Sequence, residues 1–409
     1  MNLLNSLIFG ILLLLLQACA SNPTLEARHQ ASGLNTQFSG DQQSFADYVA
    51  QSRAMIAKTH SAANVVELNQ IIEANAPFEM RPALSCPSGQ RRPYRRGVLL
   101  THGLTDSPYF MRYLGAFFQE NCFRVMAVLL PGHGTQPGDL LDVSWEEWAK
   151  AEAFGTDKLA AEVEEVYLAG FSTGGALSVY QSQTDKRVRG LFLFSPALKV
   201  DSAAALANVH KYRILGFPWL DVMPDKDIYK YESFPKNAAA QIYALTQAVH
   251  SRLQEHPMSI PVFAAASQDD TTVHTSATVE FMAHTLHPSS KLILYSTDTD
   301  KTPPAIPAEK LEMVNSVFPE QKILSSAHTA ILLPPEDKHY GVAGNYSNCI
   351  HYYPDEMRKY NACNNTPRED WQGELSKENL KVGTLRRLMY NPNIESLKLS
   401  MKKFIDGLP

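Results

Sequence analysis

The chain has 409 residues, 44 % of them hydrophobic and 19 % charged, with 37 Lys and Arg against 42 Asp and Glu for a formal net charge of −5. That length supports one sizeable core with additions, and the lack of a basic surplus excludes an electrostatic nucleic-acid footprint. No HExxH, paired C-x-x-C, P-loop or G-x-G-x-x-G pattern occurs, so no metal and no nucleotide or other cofactor is implied.

In chain order, Leu7 through Leu16 is a ten-residue apolar run, too short to span a bilayer. It reads as the h-region of a signal peptide over residues 1–18. Leu16-Gln17-Ala18-Cys19 resembles a bacterial lipoprotein cleavage box, which implies lipidation of Cys19 and a lipidated tether over residues 19–41. No Lys or Arg precedes the apolar run, a departure from that pattern. Several acyl chains on one residue anchor stably where one would not. Ala20-Ser21 lacks the aspartate associated with inner-membrane retention, so the expected address is the bacterial envelope, at the outer membrane. Export makes the remaining four cysteines, Cys86, Cys122, Cys349 and Cys363, candidates for two disulfides. Three pairings are formally possible. The predicted strands could bring Cys86 to Cys122, and Cys349 with Cys363 would close a small loop.

Residues 42–94 form an N-terminal extension, helical in period over Phe45–Thr59 and extended at Ala76–Met80. A short strand, Arg96–Thr101, then ends in His102-Gly103-Leu104-Thr105-Asp106-Ser107, and a second, Arg124–Leu130, ends in Pro131-Gly132-His133-Gly134-Thr135. The run Val166–Ala169 leads into Gly170-Phe171-Ser172-Thr173-Gly174, followed by the small residues of a helix start. This is a G-x-S-x-G motif in a strand–turn–helix context, which lifts a serine Oγ clear of a sheet. In hydrolases with such an elbow, one oxyanion donor follows the serine and another comes from a loop behind an early strand. Here those would be the amides of Thr173 and Leu104. Strands alternate with helical stretches from Gly97 to Tyr295, the pattern of a mostly parallel sheet with helices on both faces.

H-G-L-T-D-S-P, L-P-G-H-G-T and G-F-S-T-G-G, in this order, resemble the α/β-hydrolase superfamily, in particular its carboxylesterase, monoacylglycerol lipase and lysophospholipase branch. The resemblance implies an α/β-hydrolase fold, a doubly wound, mostly parallel sheet with a cap insertion. The core would comprise residues 95–198 and 259–335, the cap 199–258, and a C-terminal extension 336–409 with a disulfide loop and a terminal helix over Ile394–Ile405. It also implies the chain order nucleophile, acid, histidine, with Ser172 as nucleophile. His133 precedes the serine and reads as a loop-shaping residue. After the strand Ile260–Ala266, the family pattern G-x-x-D-x-x-V selects Asp270 over Asp269. The base is His328, preceded by small residues after a strand-like Lys322–Leu324, with His339 as rival and His274 too close to the acid strand.

One departure stands out. Some 30 residues separate the strand-like Lys291–Tyr295 from His328, filled by a Pro-rich stretch and a helical segment near Glu309–Val317. Either an extra strand precedes the histidine, or Asp298 or Asp300 competes as the acid. In the cap, Tyr212, Phe217, Trp219, Tyr229, Tyr231, Phe234 and Tyr243 could form an apolar wall over the serine, or simply pack the insertion onto the body. The expected function is a serine esterase of small-molecule or monoacyl-lipid esters, membrane-bound through its anchor, with no nucleic-acid partner and no assigned oligomeric state. The rivals are a non-catalytic binding lipoprotein on the same scaffold, or a thioesterase, amidase or acyltransferase using the same three residues, since fold does not fix function.

Overall fold

The computed structural model describes residues 23–408 apart from 36, 39, 41–42, 62, 202–216 and 366–369. The apolar leader, Cys19 and Tyr212 lie outside the described residues. The N-terminal extension supplies helices α1 (Phe45–Thr59) and α2 (Val65–Asn75), whose first turns are capped by Ser44 and Asn64 accepting from the amides of Asp47 and Glu67. Strand β1 (Phe78–Met80) follows, then β2 (Tyr94–Thr101), α3 (Arg112–Glu120), β3 (Phe123–Val128), α4 (Trp145–Glu162), β4 (Val163–Phe171), α5 (Thr173–Thr184) and β5 (Val188–Phe194). The short pair β6 (Trp219–Asp221) and β7 (Phe234–Pro235) precedes α6 (Lys236–Glu255), β8 (Val262–Ser267), α7 (Thr275–Ala283), β9 (Lys291–Ser296) and β10 (Leu311–Asn315). The C-terminal extension adds α8 (Met357–Asn365), β11 (Trp371–Gly373), β12 (Leu385–Arg387) and α9 (Ile394–Asp406).

Among the described residues, eight strands form one sheet in the order β1-β3-β2-β4-β5-β8-β9-β10. Only β1 runs antiparallel to its neighbour; the other pairings are parallel. Because strand side chains alternate, Leu99 enters one layer while Val98 and Leu100 enter the other. Helices cover both faces, which is why these strands read as continuous apolar runs. On one face α4, α5 and α6 contribute Trp148, Leu159, Leu177, Ile242 and Leu245. On the other, α3 and α9 contribute Phe117, Phe118, Leu397, Met401 and Phe404. The terminal helix therefore packs on the sheet, with Phe404 edge-on to Phe192 at 5.3 Å.

Strand order reverses about β2, since β3 lies on one side of it and β4 on the other. Ligand sites of open α/β sheets fall in the crevice outside the strand C-termini at such a switch point. The loops after β2 and β4, carrying Leu104 and Ser172, leave the sheet there.

Two expectations are corrected. The segment predicted as helix near Glu309–Val317 is a 3-10 turn at Ala308–Lys310 followed by β10, which pairs with β9 from Leu311↔Leu292 to Asn315↔Ser296. Lys322–Leu324 joins no strand of the sheet; it exchanges backbone hydrogen bonds with Gln372 at 2.8 Å instead. The extra strand before His328 is thus present, at β10. Among the described residues two disulfides are formed, Cys86–Cys122 and Cys349–Cys363. Among the described residues no helix is long and apolar enough to cross a membrane.

Candidate active site

Ser172 sits between β4 and α5 with φ +50° and ψ −112°, a strained torsion for a residue with a Cβ. The flanking glycines permit the turn. A Cβ on Gly170 would collide with the backbone of Gly174, and one on Gly174 with the Thr101 carbonyl. The Ser172 amide donates to the Phe194 carbonyl at 2.9 Å, and its own carbonyl accepts from Ala197 at 2.9 Å. The serine is thereby tied to the end of β5, with its residue 8 % exposed. Thr173 is the first residue of α5, so its amide belongs to the first turn, whose N–H groups lack intrahelical acceptors and carry the positive end of the helix dipole.

Asp270 follows β8. One of its oxygens accepts the amides of Thr272 (2.8 Å) and Val273 (3.0 Å); the other is 2.9 Å from His328 Nδ1. Burial alone would raise this carboxyl, but the facing His328 and the two amides outweigh it and hold its pKa below the usual carboxylate range. The pairing fixes the histidine with Nδ1 toward the acid and leaves Nε2 for another partner. His328 has φ +45°. Its ring lies 5.2 Å from that of Phe171, the residue before Ser172, and its carbonyl accepts from Ser195 Oγ at 3.4 Å. The histidine is therefore set against the tips of β4 and β5, beside the serine turn.

Of the rival acids, Asp269 and Asp298 are otherwise engaged, and Asp300 is exposed. Asp269 accepts from the Thr297 amide (3.0 Å) and hydroxyl (2.9 Å). Asp298 is partly exposed and ion-paired with Lys301 at 3.0 Å, and the Asp300 amide donates to it. Of the rival histidines, His274 is exposed at the start of α7. His339 faces Asp227, with Nε2 3.1 Å from its Oδ1. Tyr340 donates to the same carboxylate at 2.7 and 2.8 Å.

The loop bearing Leu104 is held by two buried imidazoles. His102 Nδ1 donates to the Gly103 carbonyl (2.8 Å), and its Nε2 accepts the Leu130 amide (3.1 Å). His133 Nδ1 donates to the Pro131 carbonyl (3.0 Å), and its Nε2 accepts the Thr105 amide (3.1 Å). Each ring thus donates once and accepts once, which requires the neutral form. Burial pushes both down, His102 well below its ordinary value and His133 to about 4. Their rings meet edge-on at 5.0 Å. His133 is a loop-shaping residue, and His102 is its counterpart on the facing loop.

Contacts from distant parts of the chain complete the surroundings. Asp106, 2 % exposed, pairs with Lys230 from the segment between β6 and β7. Burial raises its carboxyl and Lys230 offsets part of that. The insertion's aromatics pack it onto the body: Tyr229 stacks on Tyr109 at 4.1 Å, Tyr231 lies parallel to His133 at 6.3 Å, and Trp219 is edge-on to His29 at 5.1 Å. Glu374, from the C-terminal extension, accepts from the Thr271 hydroxyl at 2.6 Å beside Asp270. No group of His, Cys, Asp and Glu among the described residues is arranged to hold a metal.

A left-handed serine between strand and helix, with an aspartate–histidine pair on the loops after later strands of one mostly parallel sheet, defines an α/β hydrolase. The chain belongs to that family: the model of the alpha/beta hydrolase family matches residues 98–338. It is 26 % identical over 180 residues to a thermostable monoacylglycerol lipase of Bacillus sp. (strain H-257), spanning 43 % of this chain and 71 % of that one. It is 33 % identical over 85 residues to a carboxylesterase of Bacillus subtilis (strain 168), spanning 20 % of this chain and only 35 % of that one. Among solved structures, one of a pair of metagenome-derived lipolytic enzymes superposes with a TM-score of 0.46 at 22 % identity, covering 54 % of this chain and 87 % of that one.

Proposed function

We propose that the protein is a serine hydrolase that cleaves carboxylic esters through an acyl-enzyme, with a monoacyl lipid as the substrate class. The carrying observation is the 2.9 Å contact of His328 Nδ1 with buried Asp270, on loops placed against the Ser172 turn. Ser172 Oγ attacks the ester carbonyl while His328 Nε2 takes its proton. Asp270 keeps the imidazole in that tautomer and stabilises the imidazolium without accepting the proton. The Leu104 and Thr173 amides receive the oxyanion, a contribution of about 2.7–4 kcal/mol per donor in comparable sites. His328 then returns the proton to the leaving alkoxide, and water repeats the sequence on the acyl-enzyme. The lipid substrate class is supported by the monoacylglycerol lipase relative.

Fluorophosphonate labelling of the purified protein, with the modified peptide mapped by mass spectrometry, tests the reading. Labelling at Ser172 that His328→Ala abolishes is expected, together with ester turnover that depends on acyl length. A folded protein unlabelled at Ser172 would place the non-catalytic binding role ahead. The envelope anchor is a separate proposal, supported by Leu16-Gln17-Ala18-Cys19. Incorporation of labelled palmitate that Cys19→Ala removes, with membrane fractionation, tests it.

A further inference from the structure

Thr105 is β-branched, yet its φ is +65°, in the left-handed region such residues rarely adopt. It directly follows Leu104, whose amide is the second oxyanion donor. The chain before this turn is anchored by His102 to Leu130, and the chain after it enters a 3-10 helix at Pro108–Met111. Relaxation at Thr105 must therefore be absorbed by the torsions of Gly103 and Leu104, which aim that amide.

Every polar group of Thr105 is held. Its amide donates to His133 Nε2 at 3.1 Å, its carbonyl accepts the Tyr231 amide at 2.9 Å, and its hydroxyl accepts from Lys230 Nζ at 2.9 Å. Lys230 also pairs with Asp106, the next residue. Two of these three contacts thus come from adjacent residues of the cap segment between β6 and β7. That segment is fixed in turn from both chain ends. Asp225 accepts the Glu232 and Ser233 amides (2.9 and 2.8 Å) and pairs with Arg28 at 3.2 Å. Tyr346 donates to Glu232 at 2.6 Å.

We infer that Lys230 is a positioning residue of the active site, holding Thr105 in its left-handed torsion so that the Leu104 amide stays aimed at the developing oxyanion. This rests on the reading of Ser172 as nucleophile. A charge partner for Asp106 alone would need only the ammonium. The torsional role additionally requires that removing the strain at Thr105 make Lys230 dispensable.

The experiment compares the full chain with Lys230→Met, Lys230→Arg and Lys230→Met/Thr105→Gly, using p-nitrophenyl butyrate turnover, fluorophosphonate labelling of Ser172 and thermal melting. Lys230→Met is expected to lower kcat about 10- to 100-fold with KM little changed, short of the ~100- to 1,000-fold that accompanies outright loss of an oxyanion donor. Lys230→Arg, which keeps the positive charge and its hydrogen-bond donors, should keep most of the activity. Adding Thr105→Gly to Lys230→Met should recover kcat at least about fivefold, since glycine adopts positive φ without steric cost. Unchanged kcat in Lys230→Met overturns the inference and leaves Ser172 intact. Recovery by arginine but not by glycine also overturns it, reducing Lys230 to a partner for Asp106. A loss that neither change recovers, with a lowered melting temperature, overturns it in favour of a structural role. An unlabelled wild-type Ser172 removes the serine reading and this inference together.

Discussion

Glu152 lies on α4 beneath the serine helix and is fully buried. One carboxyl oxygen accepts from Ser178 Oγ, on α5, at 2.9 Å; the other, also buried, finds no hydrogen-bond partner among the described residues. Burial pushes its pKa from 4.5 up to about 8, with the nearby Ser178 and Thr101 hydroxyls offsetting part of the rise. The unfolded chain releases this proton near 4.5 while the folded protein keeps it to about 8. Between those values the folded state binds more protons, so stability falls as pH rises. At ~1.4 kcal/mol per pH unit, the 2.5 units from 4.5 to 7 amount to about 3 kcal/mol, and the loss levels off near 5 kcal/mol above pH 8.

Glu152→Gln removes the titration while keeping the shape and an acceptor for Ser178. Its gain over wild type should therefore be small at pH 5, grow steadily through pH 6 and 7, and stop growing above about pH 8. Urea unfolding of both proteins at unit steps from pH 5 to 9 measures the difference directly. An offset that stays constant across that range would overturn this account, because it would mean that Glu152 ionises alike in folded and unfolded chains.

Three further outcomes are set by the same geometry. Asp270→Asn should lower kcat about 1,000- to 10,000-fold by favouring the wrong His328 tautomer, whereas Asp269→Asn, which serves Thr297, should change it little; steady-state kinetics on a short ester separates them. His133, held at about 4 by burial, takes up its proton in the unfolded chain near 6.5, so stability is lost on acidification through that window at ~1.4 kcal/mol per pH unit; His133→Gln should flatten this slope in unfolding titrations between pH 7 and 4. Replacing Cys86 and Cys122 together by serine frees a crosslink across 36 residues of chain, and chain entropy puts the cost at about 3–4 kcal/mol in the folded protein's unfolding free energy.

The parts of the fold legible in the sequence are those whose cause is local. Phe45–Thr59 carries its own cap and period and ends where the periodicity ends. The serine turn is announced by glycines that its backbone crossings demand. Glu309–Val317 misled because Glu, Lys, Leu and Met favour helices. Its conformation is decided by the open edge of β9, which no local propensity encodes. Lys230 and Thr105 lie 125 residues apart, and His339 and Asp227 112 apart; neither pair has a sequence signature, because the chain's return path sets the contact. The tautomers of His102 and His133 were illegible for the same reason, since their acceptors and donors belong to loops after different strands.

The matched family region ends at residue 338, yet the site leans on the C-terminal extension beyond it. Glu374, whose side chain is 1 % exposed, accepts from the Thr271 hydroxyl at 2.6 Å and pairs with Arg387 at 3.0 Å; Arg387 in turn donates to the Thr272 hydroxyl at 2.6 Å. Thr272 supplies one of the two amides that hold Asp270. The extension therefore grips the Asp270 turn from outside, as the segment between β6 and β7 grips the loop bearing Leu104. If Glu374 acts through that turn, Glu374→Ala lowers kcat about tenfold in the wild-type background, since a misplaced group far from the chemistry can cost up to ~100-fold. In an Asp270→Asn background the same change should add almost nothing, because the hydrogen bond it orients has already lost its function. The double-mutant cycle reads the coupling directly. Additive losses would show that Glu374 serves the fold alone and that the extension is joined to the hydrolase core without supporting its acid.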